Sequence, residues 1–286
     1  MSYPVIIIGT GLAGYSTAKE FRKLDPDTPL IIISSDTGYA YSKPMLSNAL
    51  AKKQKPEELP MADSLKMSET LGATITVNCI VESIDTDNKT IQCDGEAITY
   101  RSLVLAIGAN QRKLPFTGDA TNEIYSINDL DEYSRFRTAL NNARTIAVIG
   151  AGLIGTEFAN DLAASGFEVD VIEPFHHPLG RLVPPEVGDR VEQAITALGV
   201  RWHLGCTCSE VWQTKSGYRL KLSDQTELES DIVLSAVGLE PRIKLAESAG
   251  ISVNHGIKVD RHLQTSADDV YALGDCMEIE GLVLPY

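Results

Sequence analysis

Two stretches of this 286-residue chain carry the same pattern of residue types. Val5-Ile6-Ile7-Ile8-Gly9-Thr10-Gly11-Leu12-Ala13-Gly14 is an apolar run followed by G-x-G-x-x-G. Ile146-Ala147-Val148-Ile149-Gly150-Ala151-Gly152-Leu153-Ile154-Gly155 repeats it 141 residues later. At this spacing the first glycine makes a tight strand-to-helix turn, and the second lets backbone approach a pyrophosphate. The third lets the helix lie close on its strand. The helix that follows presents unpaired N–H groups and the positive end of its dipole to the phosphates. One such loop is a weak signal, because glycine turns have many uses. Two, each after a buried-strand pattern, point to two dinucleotides.

Such a site also needs an acid at the end of the next strand, where ribose hydroxyls lie. After the first loop, Leu30-Ile31-Ile32-Ile33 leads into Ser34-Ser35-Asp36, with Asp36 22 residues beyond Gly14 and Ser35 the other candidate for the strand end. After the second, the strand from Glu168 to Ile172 runs directly into Glu173, 18 residues beyond Gly155. A carboxylate there accepts two ribose hydroxyls and repels a 2′-phosphate. The next arginine, Arg181, is eight residues on. This favours NAD(H) over NADP(H).

The loops require a scaffold that brings several strand ends to one edge. Val5–Ile8 reads as a central parallel strand, apolar without alternation because both faces are covered. Leu12 to Leu24 reads as a helix closed by Asp25-Pro26-Asp27. Tyr41-Ser42-Lys43-Pro44-Met45-Leu46-Ser47 is a polar loop running into a helix. Lys52, Lys53 and Lys55 follow beside Glu57 and Glu58, a charge run that reads first as a solvated face. Val77 to Ile84, Thr90 to Cys93 and Ala97 to Tyr100 suggest short antiparallel strands, turning at Asp87-Asn88 and Asp94-Gly95. Leu103–Gly108 is a buried strand ending in glycine, and Pro115 and Gly118 mark the crossing into the next unit. There the order returns: strand Ile146–Ile149, helix Leu153 to Ala164, strand to Glu173, helix Pro185 to Leu198, a strand-rich stretch to Leu228, and Asp231–Gly238 as closing strand. Beyond it lie Lys258–Asp260, Leu263–Ser266 and Val270–Cys276. Gly274-Asp275 taken alone reads as a turn, although such an aspartate can also hold a polyol hydroxyl.

Length allows two domains, and 43% apolar residues is a globular composition. A net charge of −14 argues against nucleic acid or an anionic membrane as partner. No apolar run is long enough to span a bilayer, and the chain enters a strand almost at once, with no signal peptide ahead of it. The five cysteines, Cys79, Cys93, Cys206, Cys208 and Cys276, are odd in number and scattered. They read as free thiols of a cytoplasmic protein rather than a disulfide framework, and no metal site has ligand spacing.

Together these residues resemble the flavoprotein pyridine-nucleotide oxidoreductases of the glutathione reductase type. Gly9, Thr10, Gly11, Leu12, Ala13 and Gly14 resemble the FAD fingerprint, and Ala106-Ile107-Gly108 the A-T-G strand end, with Ile107 for threonine. Gly150, Gly152, Leu153, Ile154, Gly155 and Glu157 resemble the NAD fingerprint, with Ala236-Val237-Gly238 its closing strand. Thr265-Ser266 and Tyr271–Asp275 resemble the second FAD motif, whose aspartate holds the ribityl chain. The resemblance implies an α/β fold of two Rossmann-like domains, with the NAD domain (111–238) inserted into the FAD domain (1–110 and 239–286). It adds Ser34, Ser35, Asp36, Lys43, Pro44, Ile80, Glu173, Gly274 and Asp275 to the cofactor-binding set. It also implies that a C-terminal interface domain of roughly 100 residues is missing after Tyr286.

The disulfide-reducing branch of that family needs C-x-x-x-x-C shortly after the second strand, and Tyr41–Ser47 has no cysteine there. The Tyr-Ser-Lys-Pro-x-Leu-Ser wording resembles instead the rubredoxin–NAD reductases and their relatives that serve flavorubredoxin or oxygenase ferredoxins. The activity implied is hydride transfer from NADH to FAD, then two single-electron transfers to rubredoxin or a similar small iron protein, as in alkane oxidation. Glu157 and Lys43 are the candidate catalytic charges beside the flavin, and for each an ordinary surface charge is the competing reading. Two other readings stand beside this one: a membrane-associated NADH–quinone reductase, and a non-catalytic nucleotide-binding redox sensor.

Overall fold

The computed structural model describes residues 3–283. It divides into two compact units, one of Met1–Ser42, Pro60–Asn110 and Leu239–Tyr286, the other of Lys43–Leu59 and Gln111–Gly238. In chain order the first unit holds β1 (Val5–Ile8), α1 (Leu12–Leu24), β2 (Leu30–Ile33), α2 (Ser64–Leu71), β3 (Thr74–Thr76), β4 (Val81–Asp85), β5 (Thr90–Cys93), β6 (Glu96–Thr99) and β7 (Ser102–Leu105). After β8 (Ala109–Gln111) the second unit supplies β9 (Tyr125–Ser126), α3 (Leu130–Ala139), β10 (Thr145–Ile149), α4 (Leu153–Ala164), β11 (Glu168–Glu173) and α5 (Pro185–Thr196). It continues with β12 (Arg201–Leu204), β13 (Cys208–Gln213), β14 (Tyr218–Leu222), β15 (Glu227–Ser230) and β16 (Ile232–Ser235). The chain then re-enters the first unit as β17 (Leu239–Pro241), α6 (Lys244–Ser248), β18 (Ile257–Val259), β19 (Val270–Ala272) and β20 (Met277–Ile279).

The first unit is built on a parallel sheet of order β19-β7-β1-β2-β3. All four residues of β1 are buried, as expected of a strand covered on both faces. Ile6 and Ile7 are fully buried, each contributing about 1.5–3 kcal/mol of apolar burial. A separate antiparallel sheet, β4-β5-β6, turns at Asp94 and Gly95, both at positive φ, the geometry an Asp-Gly hairpin turn adopts. The second unit repeats the plan: a parallel sheet of order β12-β11-β10-β16-β9 and an antiparallel β13-β14-β15 sheet. In each unit the order reverses beside the fingerprint strand, the position at which α/β sheets bind nucleotides at their carboxyl edge.

Several sequence expectations are corrected. Residues 43–59 pack into the second compact unit, where α3 and α4 hold them. The Asp161 carboxylate accepts the N–H groups of Leu50 (3.0 Å) and Ala51 (2.8 Å), and Arg137 donates to the Gln54 carbonyl (2.9 Å). The helix expected to follow Tyr41–Ser47 does not form: Lys43–Ser47 is itself a short 3-10 helix, and residues 48–53 continue as turns. The strand expected over Val77–Ile84 starts only at Val81, because Asn78 and Cys79 are hydrogen-bonded to the end of β2 instead. Cys79 and Cys93, read as free thiols, face each other with Cα atoms 6.5 Å apart, a separation a disulfide can span. Cys206, Cys208 and Cys276 are free and buried.

Candidate functional site

Each unit gathers its fingerprint at the carboxyl edge of its parallel sheet. In the first, Gly9 turns at φ +114° with no room for a side chain, since a Cβ there would fall 2.1 Å from the Ala106 carbonyl oxygen. A Cβ on Gly14 would meet the Gly9 carbonyl oxygen at 1.9 Å, so α1 lies directly on the turn. Gly11 is different: nothing lies within 4 Å of its Cβ position. Gly11 is also the N-cap of α1 and offers no side-chain cap, so the first helical N–H groups face that open space. In the second unit Gly150 turns at φ +101°, a Cβ on Gly155 would meet the Gly150 carbonyl oxygen at 1.9 Å, and Gly152, the N-cap of α4, is again open. Two glycines in each loop are thus demanded by the fold, and one faces a cradle that a pyrophosphate fits.

The acids differ. Asp36 is exposed, and its Oδ1 accepts from the Ser34 hydroxyl (2.6 Å), the Thr10 hydroxyl (3.2 Å) and the Gly38 N–H (2.8 Å). The Thr10 and Ser34 hydroxyl oxygens lie 2.6 Å apart on the same carboxylate, which ties the fingerprint turn to the end of β2. Ser35 is exposed beside them. Tyr15 donates to the Gly38 carbonyl, and burial, with Asp36 and Asp63 nearby, pushes its phenol up to about 12. Glu173 is buried, and its carboxylate accepts the N–H of Ala151 (2.5 Å) and of Phe175 (3.1 Å). The loop after it folds back, with the Leu179 N–H on the Ala151 carbonyl (2.7 Å). It also lays the Arg181 guanidinium over the Phe175 ring at 5.6 Å. Eight residues away in sequence, Arg181 therefore stands on the residue that Glu173 holds, a proximity that sequence distance hid.

The remaining first-unit residues converge on the same edge. Ala106 donates its N–H to the Ile8 carbonyl (2.9 Å), and Gly108 turns at φ +69°. Gly274 also turns at positive φ, and a Cβ there would lie 2.8 Å from the Ala13 side chain, which places Gly274-Asp275 against the start of α1. Ile80 is 66% exposed, next to Cys79. In the second unit Gly238 turns at φ +101° behind β16. Lys43 and Pro44 open the 3-10 turn in that unit, and Ser47, at its end, donates a short hydrogen bond to Glu157 on α4. Glu157 and Asp161, one helical turn apart, together anchor the 43–59 segment. In the sequence Ser47 stood within the Tyr41–Ser47 wording without a role of its own, and Asp161, four residues beyond Glu157 on one helix face, was not singled out.

A family described as pyridine nucleotide-disulphide oxidoreductase matches residues 3–284. A rubredoxin-NAD(+) reductase of Alcanivorax borkumensis is 45% identical over 285 residues, 99% of this chain and 75% of the relative. A nitric oxide reductase FlRd-NAD(+) reductase of Aliivibrio fischeri is 39% identical over 286 residues, again 75% of its length. Among solved structures, the ferredoxin reductase for the CYP199A2 system from Rhodopseudomonas palustris superposes with a TM-score of 0.90 at 31% identity, covering 97% of this chain and 69% of that one. A covalent putidaredoxin reductase–putidaredoxin complex gives a TM-score of 0.89 at 28% identity, covering 97% and 68%. With its two fingerprints, its two parallel sheets and these relatives, the chain belongs to the pyridine nucleotide-disulphide oxidoreductase family.

Proposed function

We propose that this chain is an FAD-dependent NADH oxidoreductase that delivers electrons to rubredoxin or a similar small iron protein. The observation that carries the reading is the repeated cradle: an open glycine, Gly11 or Gly152, capping a helix whose N–H groups have no side-chain cap. The first unit holds FAD through Gly9–Gly14, Ser34–Asp36, Ile80, Ala106, Gly108, Gly274 and Asp275. The second holds NADH through Gly150–Gly155, Glu173 and Gly238. Bound FAD supplies the conversion of one hydride into two single electrons. The chain's own residues bind and orient. Gly11 and Gly152 admit the pyrophosphates, Asp36 and Glu173 fix the adenosine riboses, and Ser47 aims the Glu157 carboxylate. Lys43, on the same 3-10 turn as Ser47, supplies the other charge of the catalytic pair.

The Tyr41–Ser47 loop has no cysteine to receive electrons, so an external acceptor completes the cycle. The names of the relatives, rubredoxin-NAD(+) reductase and FlRd-NAD(+) reductase, support an iron-protein acceptor. We place the protein in the cytoplasm; among the described residues no helix is long and apolar enough to cross a membrane. Anaerobic NADH titration of the FAD-loaded full chain, followed by turnover with rubredoxin, flavorubredoxin and a ferredoxin, tests the reading. Bleaching of the flavin and fastest turnover with rubredoxin are expected. Failure to bleach removes the oxidoreductase reading, and bleaching without turnover on any iron protein favours a redox sensor.

A further inference from the structure

Cys79 and Cys93 take no part in the proposed electron path, and the sequence offers no motif that pairs them. Both are buried, at 1% and 5% exposure, in an apolar surround of Val81, Ile84, Ile91 and Tyr100. Their Cα separation of 6.5 Å lies within the range a disulfide spans. Cys79 sits on the loop between β3 and β4. Its N–H donates to the Ser34 carbonyl and that of Asn78 to the Asp36 carbonyl, each at 2.9 Å. The loop therefore hangs on the strand end assigned to the adenosine ribose, with exposed Ile80 beside it. Cys93 ends β5 in a different sheet. A bond between the two sulfurs fastens this rim to the antiparallel sheet.

We propose that Cys79 and Cys93 are a reversible thiol–disulfide modification site whose oxidation stiffens the adenosine rim of the first dinucleotide site and tightens FAD retention. The retention part rests on assigning FAD to the first unit. Hydrogen peroxide serves as oxidant. One thiol reacts to give a sulfenic acid and water, and the second thiol attacks that sulfur, forming the disulfide and a second water. Burial shields the bond from bulky thiols and leaves entry to the small peroxide through local opening. Fixing a loop in its bound shape removes ordering cost on binding, worth about five- to tenfold in affinity.

The full chain is reduced, or treated with hydrogen peroxide, then denatured, alkylated and mapped by mass spectrometry. The expected result is five alkylated cysteines in the reduced chain and three in the oxidised one, with a cross-linked Cys79–Cys93 peptide. FAD should dissociate about five- to tenfold more slowly from the oxidised form. Alkylation of both thiols after peroxide overturns the proposal. So does zinc co-purifying with the reduced chain and protecting both until it is chelated, since the Asp94 carboxylate lies with the two sulfurs in a group that could hold a metal. An equal FAD off-rate in the two states overturns the coupling, and Cys93→Ala should abolish any difference. A chain that binds no flavin in either state refutes the FAD assignment, while the peptide map still decides the cross-link.

Discussion

The two fingerprints share their glycines and differ in how they hold the acid behind them. In the first unit the residue between the glycines, Thr10, reaches the exposed Asp36 with its hydroxyl, beside the buried Ser34 that bonds the same carboxylate. In the second, Ala151 has no polar side chain, and its backbone N–H is bonded to a buried Glu173. The first acid is adjustable and solvated. The second is part of the turn itself, so changing it would disturb loop shape along with the proposed ribose contact. The lesson is that one motif can carry its specificity in a side-chain network or in the backbone, and only the second kind ties recognition to folding.

The largest effect separates the glycines within each loop. Gly11→Val should fold with native circular dichroism yet bind FAD at least about a hundredfold more weakly, because its side chain fills the open cradle. Gly152→Val should stay yellow and lose NADH reduction by a similar factor. Gly14→Ala and Gly155→Ala drive a Cβ into a carbonyl oxygen at 1.9 Å, and each should fail to yield soluble protein. A soluble, yellow Gly14→Ala product would break the view that this glycine serves the fold. A yellow Gly11→Val would break the view that Gly11 serves the ligand.

Coenzyme choice comes next. Native chain should prefer NADH over NADPH by on the order of 10² in kcat/KM, through repulsion between Glu173 and a 2′-phosphate. Because Glu173 also holds the Ala151 and Phe175 N–H groups, Glu173→Gln should lower NADH kcat/KM about tenfold while leaving NADPH use nearly unchanged. Arg181→Ala should widen the preference severalfold by removing the cation above Phe175. Asp36→Asn, at an exposed carboxylate, should cost FAD affinity less than about tenfold. Equal steady-state rates with both coenzymes in the native chain would refute the role of Glu173.

Much of this was legible. β1, β2, α1 and α4 coincide with their expected residues, since a fully buried parallel strand and a long helix leave strong patterns. What was missed had weaker or unread signals. β9 is two residues long and exists only because β16 offers an open edge. α3 begins with Asp129 as cap, accepting from the Glu132 N–H, while Glu132 accepts from the N–H of Asn128 just before it, a D-x-x-E signature present in the sequence. α2 likewise has Asp63 as cap and Gly72 in the left-handed conformation after its end. The Cys79–Cys93 pairing and the Arg181–Phe175 stack depend on how loops fold back. Spacing along the chain carries no such information.

A smaller effect compares the second strands. β2 is entirely aliphatic, whereas β11 buries Asp170 at the place corresponding to Ile31. Burial alone would raise that carboxyl, but the Arg201 and His203 hydrogen bonds and the Arg201 charge outweigh it and hold it below the usual range. A depressed folded pKa contributes stability above the unfolded value, near 3.9, that is lost as pH falls through the folded one. Asp170→Asn should therefore destabilise the second unit by about 2–3 kcal/mol at neutral pH and flatten its stability profile below about pH 4. Denaturant unfolding of both forms from pH 7 to pH 3 checks this; parallel profiles would remove Asp170 from the acid response.

The smallest effect asks whether the second unit also carries the acceptor contact. Lys52, Lys53 and Lys55 are exposed on the 43–59 segment, with Lys52 on the Asn48 side chain and Glu58 capping the Lys55 N–H. The proposed acceptors are acidic iron proteins, and this chain has a net charge of −14, so general attraction is unavailable and a local basic patch must provide it. Glu57 and Glu58 dilute that patch, which keeps its contribution modest. Rubredoxin reduction should slow as salt rises, because exposed charges are screened beyond about 8–10 Å at physiological ionic strength. The triple Lys→Glu variant at positions 52, 53 and 55 should slow it about three- to tenfold at low salt and much less at high salt. Ferricyanide reduction should stay unchanged, since a small ion needs no docking surface. An unaltered rubredoxin rate in the triple variant would place the contact away from this segment and leave the second unit with the nucleotide alone.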